Sequence, residues 1–266
     1  MSPSISPHVS SSKRMPVLFI GHGSPLNAIE DNEFSRDWKR LAAAIPRPSL
    51  ILCISAHWLT DETKVTAMEN PKTIHDFYGF PKQLEQTQYA AKGSLEYAEL
   101  IKHTLSSIHV KLDNNWGLDH GTWSVLLHMY PKADIPVIQL SIDFGLPLTN
   151  HFDIGKRLTT LRDKGVLIIG SGNIVHNLGM VNFDSSAEPF DWAVNFDDFV
   201  KTSLEKKNFE ALINYKKQSS SRYAHPTNDH YIPLLYVIGA SDMQTPEFSC
   251  EKIVHSSLSM RCVKYG

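Results

Sequence analysis

Four short runs of this chain are apolar at nearly every position, and they constrain the fold more than any other feature. They cover residues 16–20, 50–55, 136–142 and 166–170, and each is flanked by Gly, Pro or polar residues. A strand with one face in water alternates apolar and polar side chains, whereas an unbroken apolar run reads as a strand covered on both faces. Between the runs lie stretches with helical spacing. Residues 33–44 carry Phe34, Trp38, Leu41 and Ala42; residues 94–105 carry Leu95, Ala98, Ile101 and Leu105; residues 151–162 and 192–204 are similar. Residues 231–240 read as a helix whose Pro233 falls in the first turn, where proline is tolerated. Residues 64–68 and 257–264 read as two further strands. Strands alternating with helices predict an α/β fold: a single domain with a central, mostly parallel or mixed sheet covered by helices on both faces. That domain is expected over residues 15–266, behind a Ser- and Pro-rich disordered leader over residues 1–14.

The charge balance narrows the partners. Lys plus Arg number 26 and Asp plus Glu 28, a formal net charge of −2. Without a basic excess, neither nucleic acid nor an acidic membrane surface is the expected partner. The longest apolar stretch, residues 232–240, is too short to span a bilayer, which takes about 18 or more. The three cysteines, Cys53, Cys250 and Cys262, are odd in number and irregularly spaced. Neither a disulfide framework nor a thiolate zinc site is expected from them, and the reducing cytoplasm is the default compartment. Cys53 lies in an apolar run and reads as a small buried hydrophobe.

Histidine is the unusual residue, with 13 in the chain. His22 follows the first apolar run in Gly21-His22-Gly23-Ser24-Pro25, and His57 follows the second in Ser55-Ala56-His57-Trp58. His176 comes shortly after the fourth, in Gly172-Asn173-Ile174-Val175-His176-Asn177. Ligands of open α/β sheets bind outside the carboxyl ends of the strands. One strand-end histidine reads as a hydrogen-bonded core residue; three in one chain point to a shared site. His120, in a Gly-flanked turn before an apolar helix, and His230, in a turn that opens the 231–240 helix, fit the same crevice. A first helical turn disfavours a cationic imidazole, which suits a neutral metal ligand. The other eight (His8, His75, His103, His109, His128, His151, His225 and His255) read as surface or core residues. His75 and His225 are kept open, because His75 sits in an aromatic turn, Phe77-Tyr78-Gly79-Phe80, able to wall a pocket.

Six motifs in order carry a resemblance. They are Gly-His-Gly-Ser-Pro at 21–25, Ser-Ala-His-Trp at 55–58, Thr-Ile-His-Asp-Phe at 73–77, Asp-His-Gly at 119–121, Gly-Asn-Ile-Val-His-Asn at 172–177 and His-Tyr-Ile-Pro-Leu-Leu at 230–235. Together they resemble the 4,5-DOPA extradiol dioxygenases of the class III extradiol ring-cleavage superfamily, from about Met15 to the C-terminus. The resemblance implies a non-haem metal enzyme that inserts O₂ into a catechol such as DOPA. It implies metal ligands at His22, His57 and His230, an acid/base role for His176, with His176 as an optional fourth ligand, and a substrate- or oxygen-side role for His120. Other branches of the superfamily complete the site with a carboxylate, an arrangement diagnostic of non-haem Fe(II) oxygenases. Here the position is His230, with Asp229 beside it. Fe(II) is therefore expected for activity, while three neutral imidazoles also suit Zn(II) in the purified protein. Asp119 is expected to orient His120 and Asp229 to orient a ligand, with turn formation or helix capping as the alternative for both acids. Two alternatives stand beside this reading: a zinc-dependent hydrolase on the same three histidines, and a non-catalytic binding protein on the same scaffold.

Overall fold

Strands that are apolar throughout have no face to offer to water, so a stable fold must bury both their faces. In the computed structural model, which describes residues 14–184 and 186–266, they form the centre of one sheet. β1 (Val17–Gly21), β2 (Leu50–Ser55), β3 (Val137–Gln139) and β4 (Val166–Gly172) are buried along their whole length. They run parallel in the order β3-β2-β4-β1. β5 (Pro246–Ser249) and β6 (Cys262–Tyr265) extend the sheet beyond β1, with β6 antiparallel to both of its neighbours. The result is a six-stranded mixed sheet, β3-β2-β4-β1-β6-β5.

The pleat sorts alternate residues into two cores. Phe19, Leu52, Ile54 and Ile168 face α4 (Leu148–Leu158), α5 (Asp191–Glu205) and α6 (Ile232–Ala240), together with α2 (Leu95–Thr104). Leu18, Ile20, Ile51, Cys53 and Ile169 face α1 (Glu33–Ala44) and α3 (His120–Met129), which contribute Trp38 and Trp123. Cys53 is a small core residue, as expected. α6 is buried at every position, so it is apolar all round and not amphipathic. No helix among the described residues is long and apolar enough to cross a membrane.

Element boundaries differ from expectation where polar side chains redirect the chain. The run 136–142 splits: Val137–Gln139 joins the main sheet, while Ile142–Asp143 pairs with Leu59–Thr60. Between them the Ser141 hydroxyl accepts the backbone N–H of Lys64 at 2.8 Å and contacts the Thr60 hydroxyl at 2.8 Å, drawing the chain out of the sheet. The stretch 257–264 splits at Arg261, whose guanidinium turns to Asp197 on α5. The 64–68 strand forms as Thr63–Thr66, paired with Val110–Asp113, a strand the sequence did not announce. α4 starts behind Pro147, earlier than expected, and passes into a 3₁₀ turn (Thr159–Lys164) closed by Gly165 at φ 77°. Of the expected leader, only Arg14 lies within the described residues, where it pairs with Asp163 and Asp242.

α4 and α6 cross on glycine. A Cβ at Gly155 would lie 2.2 Å from the carbonyl oxygen of Tyr236, and one at Gly239 would lie 2.2 Å from that of Phe152. Because the obstructing atoms are backbone, Gly155→Ala must push the helices apart. Its expected cost is about 1–3 kcal/mol, read as a lowered urea midpoint; an unchanged midpoint would show that this crossing is not close-packed.

Candidate metal centre

The parallel register brings the ends of β1, β2 and β4 level, with Gly21 opposite Gly172 and Ser55 opposite Ser171. The loops beyond them are pinned to β4 by backbone hydrogen bonds. The N–H of His22 donates to the Gly172 carbonyl at 3.1 Å, and that of Ala56 to the Ser171 carbonyl at 2.9 Å. From the other side, the N–H of Asn173 donates to the His230 carbonyl at 3.0 Å. That approach requires glycine at 172, where a Cβ would lie 2.2 Å from the same carbonyl oxygen.

All five histidines singled out in the sequence meet here. Ring centroids of His22, His57 and His230 lie 5.0–5.3 Å apart. One ring nitrogen from each of the three falls within 4.8 Å of the others. His120, the first residue of α3, lies 3.9 Å from His57 and 5.6 Å from His22, centroid to centroid. His176 stacks face to face on His230 at 3.5 Å, with only 3° between the ring planes. His176 is not one of the mutually close trio.

The groups around each ring favour one site for its proton. The hydroxyl of Ser171 donates its single proton to the Gly121 carbonyl at 2.5 Å, so it can only accept from His22 Nδ1, 3.0 Å away. His22 Nε2 is then the lone-pair nitrogen. His230 Nδ1 faces the Asp229 carboxylate at 2.5 Å, and His57 Nδ1 faces Asp76 Oδ2 at 3.3 Å, so both favour a proton on Nδ1. The Nε2 atoms of His22 and His57 stand 3.1 Å apart. Two unprotonated nitrogens at that distance repel each other unless a cation lies between them. Nitrogens bound to one ion at roughly 2.0–2.1 Å stand about 3 Å apart at a right-angled bond, so the trio fits a metal.

Electrostatics agree. Burial, then the neighbouring imidazoles, push the pKa of His22 and of His57 well below the usual value, so both rings are neutral. Burial, His230 and His225 push His176 down to about 2. Burial alone would raise Asp229, but its hydrogen bond and charge contact with His230 hold it below the ordinary carboxylate range.

Asp229 therefore lies on a trio histidine, as one of its two expected readings required. Asp119 does not serve His120 as expected. It caps α3, accepting the Thr122 N–H at 3.2 Å, and it accepts Gln139 Nε2 at 2.7 Å. The carboxylate that serves His120 is Asp76. Its Oδ1 accepts the backbone N–H of His120 at 3.0 Å, while its Oδ2 lies 2.9 Å from His120 Nδ1. The aromatic turn does wall the site, since Phe77 sets its ring edge-on to His120 at 5.6 Å. His75 faces the Thr87 carbonyl at 2.9 Å, and His225 the Ile174 carbonyl at 2.6 Å; both are structural.

Residues 16–262 match the family described as the catalytic LigB subunit of aromatic ring-opening dioxygenase. The chain belongs to that family. It is 46% identical over 271 residues to a 4,5-DOPA dioxygenase extradiol of Escherichia coli K12, covering 100% of both chains. It is 38% identical to a 4,5-DOPA dioxygenase extradiol of Beta vulgaris, covering 94% of each. The crystal structure of an uncharacterized Escherichia coli K12 protein superposes with a TM-score of 0.84 at 43% identity, over 95% of this chain and 100% of that one. The chain is thus an extradiol aromatic ring-opening dioxygenase, which sets aside the hydrolase and binding-protein alternatives. Extradiol dioxygenases of the LigB family are metal-dependent, and the His22, His57 and His230 group is where this chain has the donors to bind one.

Asp76 touches two of the five histidines, so Asp76→Asn is expected to loosen both. Metal affinity should fall about 10–100-fold, as for other groups that orient ligands. Titration with a competing chelator measures this, and wild-type affinity in the variant would remove Asp76 from that role.

Proposed function

We propose that this enzyme opens a catechol ring, DOPA or a close relative, beside the diol, with Fe(II) held by His22, His57 and His230. The observation that carries the reading is the convergence of three imidazole nitrogens, two of them 3.1 Å apart. The names of the relatives from Escherichia coli and Beta vulgaris support DOPA as the substrate. The bound dication would supply acidity to a catechol hydroxyl and a redox route between the ring and O₂. Zinc also suits three imidazoles, but having no redox chemistry it would fill the site without supporting turnover.

The remaining steps belong to the protein's own side chains. His176 is the acid/base. Its neutral imidazole has a lone pair to take the second catechol proton and return it later, and the negative charge of a bound catecholate would offset the burial that opposes protonation. Its stack on His230 favours this role over a fourth ligand, because the ring is held parallel to a ligand and outside the close trio. Asp76 holds the backbone N–H of His120 and lies 2.9 Å from its Nδ1, which leaves Nε2 to hydrogen-bond a substrate or dioxygen atom. Phe77 gives the aromatic ring of the substrate an apolar wall.

Anaerobic reconstitution with Fe(II), followed by DOPA and then O₂, tests the function. The expected result is O₂ uptake with a yellow ring-opened product, and no product before O₂ enters. No absorbance change with DOPA, caffeate or protocatechuate would falsify the catechol assignment. His176→Ala is expected to keep its metal and lose about 10²–10⁴-fold in turnover. His22→Ala should lose the metal itself, as read by elemental analysis. Normal turnover by fully loaded His176→Ala would take the proton-transfer role away from this residue.

A further inference from the structure

Outside the crevice, a second group of metal-binding side chains comes together at Asp37, Cys250 and Cys262. Asp37 comes from α1, Cys250 directly follows β5, and Cys262 opens β6. The antiparallel register sets Cys262 opposite Ser249, so Cys250 falls beside it. One ligand atom from each of the three residues lies within 4.8 Å of the others. Asp37 and Cys262 are buried, while Cys250 is half-buried and faces a cavity of about 310 Å³ bordered by Glu33, Arg40 and Lys252.

The carboxylate is already aimed. Asp37 Oδ1 accepts Arg40 Nη2 at 2.6 Å, and Oδ2 accepts the Cys250 thiol at 3.1 Å. Lys252, the other cation at the cavity, is tied to Glu33 at 2.5 Å. We propose that Asp37, Cys250 and Cys262 form a second metal site, separate from the catalytic one, for a borderline-soft dication of the zinc class.

Three arguments support it. The donor set suits that class, because thiolates select soft and borderline metals over magnesium or calcium. The spacing suits it too. Thiolate sulfurs roughly 2.3 Å and carboxylate oxygens roughly 2.0–2.2 Å from a tetrahedral ion sit about 3.5–4 Å from each other. The side chains need close by little from their present separation. The charges also balance: one dication, two thiolates, the Asp37 carboxylate and the Arg40 guanidinium sum to zero. Binding would release the two thiol protons to solvent and give up the hydrogen bonds they make to Asp37 and to the Met260 carbonyl, replacing them with bonds to the ion.

The same surroundings argue against a redox role for the pair. The Cys262 contact, burial and Asp37 all push the pKa of the Cys250 thiol up, and the thiolate is the form that oxidants attack. A dication reverses that balance by binding the thiolates directly.

Cobalt(II) loading of the reduced, full-length protein tests the proposal, because thiolate–cobalt bonds give a charge-transfer band in the near ultraviolet and imidazole ligands do not. Wild type should bind one equivalent more than Cys250→Ser, and Cys250→Ser should lack the band. Cys250→Ser replaces a half-buried residue and should stay folded; Asp37→Asn gives an independent check and should weaken the band. His22→Ala should keep the band while losing the catalytic equivalent. Absence of the band in wild type, its persistence in Cys250→Ser, or formation of a Cys250–Cys262 disulfide in place of metal uptake would each overturn the second site.

Discussion

The Nε2 atoms of His22 and His57 stand 3.1 Å apart, an unfavourable contact when neither carries a proton, and the surrounding structure is arranged to maintain it. Turning the rings would cost His22 its contact with Ser171 and move His57 Nδ1 away from the Asp76 carboxylate 3.3 Å off. Protonation does not relieve the contact either, since burial and neighbouring imidazoles oppose positive charge on either ring. A metal ion is the favourable way out. The protein has invested in the convergence before any ligand arrives, which is what a preorganised site requires.

The sheet makes that arrangement possible. Three parallel strands ending level place three loops side by side, and hydrogen bonds to Ser171 and Gly172 hold two of them at the same height. His230 arrives from the start of α6, a helix with no polar face that is sunk into the core. Its position is set by packing that includes the glycine crossing with α4, so the trio depends on contacts well away from the metal. Expansion at that crossing would be felt at His230 as well as in stability.

The central strands and the histidines that follow them were legible in the sequence for the same reason. A strand buried on both faces marks every residue, and its carboxyl end is where α/β sheets bind ligands. β5 was not legible: Pro246 and Glu247 belong to an edge strand, where proline and charge are tolerated and the apolar pattern fades. Val110–Asp113 alternates over only four residues, too few to separate from a loop. Within the site, Asp76 was passed over in favour of its neighbour His75, because nothing periodic in a loop tells which of two adjacent side chains turns inward. The Asp37–Cys250 contact joins residues 213 positions apart, and irregular cysteine spacing argued against any thiolate site at all. Contacts made by irregular backbone leave no period to read.

The carboxylates explain how a site of neutral imidazoles can hold a dication. Asp229 and Asp76 stand behind His230 and His57, on the Nδ1 side, and each is close enough to offset positive charge carried through the ring. Set one ring back from the trio, the carboxylates could offset a bound cation at longer range. Asp76 adds a second effect, because its Oδ2 lies near both His57 and His120. A change of charge on the substrate side of His120 is therefore felt by the carboxylate that steadies a trio histidine, and the two halves of the site respond together.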